Sequence, residues 1–184
     1  MTTPASCTAF AGAQRLAGGP AAAVAALVRR HLDQHPEAAI LIFDDDTAQS
    51  VEFDLRGTES DVVARLGGEP PRGRGRPKLG VVAREVTLLP RHWEWLATQP
   101  GGASVALRKL VEAARVAGAG KDRKRAAQNA VHRFMTVMAG NAQGYEEALR
   151  ALYAGDRARF GVMTASWPAD IRSYTLHLAN DALT

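Results

Sequence analysis

The sequence predicts an α+β fold: a small N-terminal α/β unit, a central strand followed by two helices, and a helical last third. Three observations lead there. Every segment with strand-like alternation or a β-branched run lies before Pro90. Beyond it, apolar residues recur at helical spacing between short polar or glycine breaks. The 184 residues are 46% hydrophobic, enough to fold one medium domain or two small ones.

The elements follow in chain order. "CTAFAGAQRLAGG" offers one or two short strands ending at Gly18-Gly19. Pro20, a favoured first helical residue, opens a helix whose Val24, Leu27, Val28 and Leu32 form an apolar stripe. "AAILIFDD" and "SVEFDLRG" read as a hairpin over the turn Asp45 to Ser50. "TESDVVARL" reads as a short helix capped by Thr58 or Ser60. After the Gly/Pro-rich stretch Gly67 to Gly80, "VVAREVTLL" reads as a strand. Pro90 starts a helix to about Thr98, "QPGGAS" breaks it, and Ser104 caps a second helix, "VALRKLVEAARVA". "GAGKDRKR" reads as a polar interruption. The last helices are "AAQNAVHRFMTVMAG", "GYEEALRALYAG", "DRARFGVMTAS" and "PADIRSYTLHLAND". The expected organisation is 1–66 as the α/β unit, 67–80 as a basic linker, 81–117 as the strand-helix-helix unit and 126–184 as the helical region.

Charge is unevenly distributed. Met1 to Gly68 carries 5 basic and 9 acidic side chains, net −4. Glu69 to Arg125 carries 13 and 5, net +8. Ala126 to Thr184 carries 5 of each. A single basic block on an otherwise acidic or neutral chain points to a polyanion partner, or else to a solubilising surface. Cys7 is the one cysteine, so no disulfide forms within a chain and a reducing cytoplasm is the expected compartment. No membrane span and no secretory signal are expected.

At the centre of the block stands Arg74-Gly75-Arg76-Pro77, flanked by Arg72 and Lys78. It resembles the core of an AT-hook, an extended peptide that lies in the minor groove of A·T-rich DNA. The residue types suit that site. The narrow A·T groove is strongly negative and attracts arginine. Gly75 has no side chain to hold the backbone off the groove floor, and Pro77 favours an extended approach. Arg72 and Lys78 then reach flanking phosphates. The other readings are non-specific phosphate contact, RNA binding or a passive linker.

The next 35 or so residues, "VAREVTLLPRHWEWLATQPGGASVALRKLVEAARVA", resemble the ribbon-helix-helix family of bacterial DNA-binding proteins. The resemblance implies a homodimer whose paired strands enter the major groove. It makes Arg84 to Leu88 the ribbon, with Arg84 on one face and Thr87 on the other as candidate DNA contacts and the reading face left open, and Gly102 and Ser104 a phosphate contact at a helix start. The pattern departs from that family in two respects: neither strand face, Arg84/Val86/Leu88 or Glu85/Thr87/Leu89, is a good set of base readers, and the spacing from Pro90 to Trp93 and Leu96 is slightly compressed. A helix-turn-helix-like variant and a plain packing unit are the competing readings. Trp93 and Trp95 cannot both point inward on one helix, so one is expected in the core and the other at an interface. Over most of its length the chain resembles a bacterial family of unknown function, the domain of unknown function 2239. The segments that carry this are "GRPKLGVVAREVTLLPRHWEWLATQPGGASVALRKLVEAAR", "RFMTVMAG", "ALYAGDRARF" and "WPADIR".

Catalytic and metal chemistry are weakly signalled. His31 and His35 have a zinc-compatible spacing but no third ligand in view. Asp44-Asp45-Asp46 reads as a solvated turn. "GAGKD" lacks the spacing of a phosphate loop and has Asp122 where a hydroxyl is needed. Ser104 and His92 are better explained as a cap and a first-turn residue than as a nucleophile and base. The expectation is a non-enzymatic DNA-binding homodimer with no cofactor, a preference for A·T-rich DNA, and a role as a transcription regulator or nucleoid-associated factor. The alternative is an antitoxin-like protein-interaction module whose C-terminal helices dock a partner.

Overall fold

A computed structural model describes residues 3–67 and 82–184. They form a mixed α+β structure, mostly helical. The chain divides into two compact units, Met1–Glu69 with Asp122–Thr184, and Pro70–Lys121.

The first unit is built on a three-stranded antiparallel sheet. β1 (Ser6–Ala11) lies between β2 (Gln14–Pro20) and β3 (Ile40–Asp44). Its residues Cys7, Thr8, Ala9 and Phe10 are all essentially inaccessible, so β1 is covered on both faces. The two-residue period of a strand explains how. Cys7 and Ala9 turn toward α1 (Ala21–Gln34), joining Ala17, Val24, Val28 and Ile42 in one cluster. Phe10 turns the other way, with Phe43, into the larger cluster.

That larger cluster is helical on its far side. The second half of α4 (Gly102–Ala139) supplies Val131, Phe134 and Met135, all fully buried. α5 (Tyr145–Ala154), α6 (Arg157–Met163) and α7 (Ala169–Leu178) add Leu152, Phe160, Ile171 and Tyr174. Four rings meet at the centre. Phe134 lies 5.0 Å from Phe43, 5.5 Å from Phe10 and 4.7 Å from Tyr174, edge-on to Phe43 and Tyr174. Segments 3–67 and 122–184 therefore share one core.

α1 begins after Pro20, and α2 (Glu59–Leu66) begins at a capping box: the Thr58 hydroxyl accepts from Asp61 N, and the Asp61 carboxylate accepts from Thr58 N. α3 (Pro90–Ala97) carries Pro90 at its first position.

In the first unit and along α4, two elements differ from the sequence expectation. The hairpin over 45–50 closes with a single bridge, Phe43 to Ser50. Residues 51–56 then form no further ladder among the described residues, and β3 is paired with β1 on its other edge. Val51, Phe53 and Leu55 still turn partly inward; Phe53 and Leu55 pack on the α1 cluster, so the alternation reports packing without pairing. The polar break at "GAGKDRKR" is absent, and α4 runs unbroken from Gly102 to Ala139. A glycine in a helix costs about 1 kcal/mol against alanine, and no proline stands here to break it. The surrounding Ala, Lys and Arg are good helix formers.

In the second unit, residues 82–89, expected as a strand, form none among the described residues, and α3 and the first half of α4 follow. From 82 to 118 the buried residues are Leu96 and Ala106. Trp93 and Trp95 are both about half exposed, so neither takes the core position expected for one of them. Leu96 fills it, because it follows Trp95 onto the side of α3 that meets α4 at Leu107 and Leu110.

Candidate nucleic-acid interface

Arg72, Arg74, Gly75, Arg76, Pro77 and Lys78 lie outside the described residues. Arg84 and Thr87 are exposed on the extended segment that leads into α3. Leu89 caps that helix in an extended conformation, and its carbonyl accepts from His92 N and Trp93 N. Among the described residues, no backbone hydrogen bond reaches 82–88.

Gly101 and Gly102 make the turn between α3 and α4 at φ of +84° and +76°. Both lie in the left-handed region that glycine adopts without strain, which is why "PGG" stands here. Ser104, expected as the cap, sits inside α4, two residues after its start. Its carbonyl accepts from Arg108 Nε at 3.1 Å. The helix begins earlier because the glycine pair supplies the sharp turn that a side-chain cap otherwise assists. No hydrogen bond or ion pair among the described residues joins Arg84 or Thr87 to Gly102 or Ser104.

The described cations of this unit face solvent. Arg84, Arg91, Arg108, Lys109, Arg115 and Lys121 are all exposed. Arg115 pairs with Glu112 at 2.7 Å and holds that carboxyl below its ordinary value. "GAGKD" lies in the interior of α4, where its backbone N–H groups belong to the helix ladder and cannot cradle a phosphate.

A second polar cluster went unread in the sequence. Asp44 behaves as a turn residue, its Oδ1 accepting from Asp46 N, Thr47 N and Thr47 Oγ1. Asp45 does not. Its Oδ1 accepts from the Thr8 and Tyr174 hydroxyls, each at 2.7 Å, and its Oδ2 from Ser6 Oγ at 2.5 Å. The solvated-turn reading thus holds for Asp44 and is corrected for Asp45, which three hydroxyl donors draw inward. Burial first, then the Asp45 hydrogen bond and charge, push the Tyr174 phenol well above its ordinary value. Burial, with the nearby Asp45 and Asp44 charges, pushes the Cys7 thiol up to about 11. The phenol is thereby held protonated, as a donor. In the sequence, alternating Ser6 and Thr8 opposite an acidic turn was the available signal, but Tyr174 is too distant to be paired with them by spacing.

His31 in the last turn of α1 and His35 just past its end have rings 4.7 Å apart. Among the described residues, no group of three or more His, Cys, Asp or Glu could hold a metal ion. No helix among them is long and apolar enough to cross a membrane.

No curated protein and no solved structure matches this chain. A family model described as an uncharacterized protein conserved in bacteria (DUF2239) matches residues 6–179, and the chain belongs to that family.

Proposed function

We propose that the protein is a non-enzymatic, DNA-binding homodimer of the bacterial cytoplasm, a transcription regulator or nucleoid-associated factor. Arg74 and Arg76 enter an A·T-rich minor groove, and Arg72 and Lys78 contact the flanking phosphates. The segment around Arg84 and Thr87 pairs with its copy as a ribbon at the adjacent major groove, and the start of α4 at Gly102 and Ser104 abuts the backbone.

The observation that carries this reading is the charge block. Thirteen of the 23 basic residues fall between Glu69 and Arg125, for a local net charge of +8. Of its described part, Arg84, Arg91, Lys109, Lys121 and Arg123 are exposed, which supports access by a polyanion, while Lys124 is held by the Thr184 carbonyl and Arg115 and Arg125 pair with Glu112 and Asp122.

A salt-dependent titration with A·T-rich and G·C-rich duplexes tests it. Changing Arg74 and Arg76 to Ala should lower the slope of log affinity against log salt by about two units. It should also shrink any A·T preference. Loss of affinity with no preference to lose means a phosphate clamp. No DNA binding by the parent protein removes the reading. A protein-interaction module then takes its place, favoured by the apolar surface that the second unit exposes.

A further inference from the structure

We propose that the groove between α3 and the start of α4 receives an unstacked base of single-stranded DNA, with Trp95 as the stacking surface. The inference rests on the DNA-binding reading above and adds to it a site that neither the hook nor the ribbon uses.

Gly101 and Gly102 turn the chain so that α4 comes back against α3, burying Leu96 and Ala106. Beside them a groove of about 250 Å³ stays open, lined by Leu88, His92, Trp95, Leu96, Leu107 and Leu110. Helical spacing puts His92, Trp95 and Leu96 on one side of α3, and Leu107 and Leu110 on one side of α4. Trp93, about 160° round the helix from Trp95, takes no part. Trp95 is 51% exposed, which leaves half of it open to a ligand.

Size and chemistry narrow the occupant. Pockets for whole small molecules run to about 300–1,000 Å³. This groove is smaller and suits one flat ring system. Its walls are an indole, an imidazole and four leucines, which pack against a ring more readily than they hydrogen-bond to one. Such a site takes any base, because every base has a π-face. Inside a duplex those faces are covered by the neighbouring base pairs. The base that enters is therefore one held outside a stack, in a single strand. Apart from the ring nitrogens of His92 and Trp95, no side chain of the lining can hydrogen-bond a ribose 2′-hydroxyl, so RNA has little to gain over DNA.

The surrounding charge favours a nucleotide over an apolar side chain of a protein partner. Arg91 stands one turn before Trp95 on the same side of α3 and is exposed. Glu94 lies about 100° round the helix from Trp95. Arg84, also exposed, stands four residues before Leu88. Residues 82–121 carry six basic and three acidic side chains, so the groove sits in a net positive stretch. A base brought into the groove carries its phosphates to this rim, where Arg91 can meet one.

Titrating the full chain with a thymidine decamer, read by its own tryptophan fluorescence, tests the site. Trp167 is buried, so the response comes from Trp93 and Trp95. The decamer should quench the emission, and Trp93→Phe should keep the quenching that Trp95→Phe removes. Trp95→Ala should weaken binding by about 5- to 150-fold, while Trp95→Phe, which keeps a ring, should retain most of the affinity. Trp93→Ala should leave the affinity unchanged. Arg91→Ala should lower the slope of log affinity against log salt by about 0.7. Circular dichroism of these variants should match the parent, since each side chain replaced is exposed. A Trp95→Ala chain that binds the decamer like the parent, or a Trp93→Ala chain weakened equally, overturns the proposal. So does a uridine RNA decamer bound more tightly than the DNA, or emission that responds to phosphatidylglycerol vesicles and not to the decamer. The duplex titration with Arg74 and Arg76 changed separates this site from the hook. Duplex binding through those arginines with the decamer unbound ends the site and leaves the hook. Decamer binding that depends on Trp95 with no duplex bound does the reverse.

Discussion

The Tyr174 hydroxyl donates to Asp45 Oδ1 at 2.7 Å across 129 residues of sequence, tying α7 to the turn after β3. The same carboxylate holds Ser6 and Thr8 of β1. One partly buried anion thus joins the first strand, the third strand's turn and the last helix. A hydrogen bond to a charged group is worth about 1.5–3 kcal/mol, more than one between neutral partners. Tyr174→Phe should therefore destabilise the fold by about 2 kcal/mol, with the urea midpoint lowered and the slope unchanged. Asp45→Ala should cost more, about 3 kcal/mol or above, because it strands three donors at once. A Tyr174→Phe effect near zero in urea unfolding would show that water replaces the contact.

The same cluster sets an alkaline limit. The Cys7 thiol is pushed up to about 11, and the Tyr174 phenol is raised further. A raised folded pKa means the stabilisation is complete below the unfolded value and is lost as pH rises through the folded one. In the unfolded chain the thiol ionises near about 8.5 and the phenol near about 10. Between about pH 9 and 11 the unfolded state therefore binds fewer protons than the folded state, so stability falls with rising pH. The limiting slope is about 1.4 kcal/mol per pH unit for each group. Chemical unfolding at a series of alkaline pH values should show the fall, and Cys7→Ala should delay its onset. A flat profile to pH 11 contradicts this account of the buried thiol.

How far the sequence carried can be judged from particular residues. Pro20, Thr58 and Pro90 each marked the helix start that the structure shows, because a cap or first-turn proline acts within one turn of chain. Phe134 and Met135 were legible as a packing stripe, and both are fully buried. The failures are tertiary. Val51 to Leu55 alternates like a strand, but past the single Phe43–Ser50 bridge the segment leaves β3, and Phe53 and Leu55 pack on the α1 cluster instead. Asp45 and Asp44 are identical in local sequence terms, and three distant hydroxyls decide which turns inward. Of the candidate site, the basic block and Arg84 could be named from residue types.

The aromatic centre yields a third expectation. Phe134 touches rings from β1, β3 and α7, so its removal opens a cavity that three elements must collapse to fill. Phe134→Ala should cost about 3–5 kcal/mol. Cutting the chain after Arg125 removes Val131, Phe134, Met135 and Tyr174 together and leaves Phe10 and Phe43 without a cover. That fragment should lose cooperative unfolding in its N-terminal part and bind a hydrophobic dye. A truncated chain that melts like the parent contradicts the shared core.

The continuity of α4 can be tested at Gly120. A Cβ built there meets nothing within 4 Å, and the helix runs on both sides of it. Alanine at an unobstructed helical position gains the difference in propensity and restricts the unfolded chain, so Gly120→Ala should stabilise by about 0.5–1 kcal/mol. Proline at the same position removes an N–H and clashes with the preceding turn, costing about 3 kcal/mol within a helix. In a loop between two helices the pair of substitutions behaves differently. Alanine there is neutral or harmful where the glycine turns the chain, and proline is tolerated. Opposite signs for alanine and proline, read by thermal melting and by helical ellipticity, are expected for one unbroken α4. Proline tolerated at Gly120, with alanine giving no gain, means that the helix ends near Gly118 and starts again at the basic run, as its polar composition first suggests.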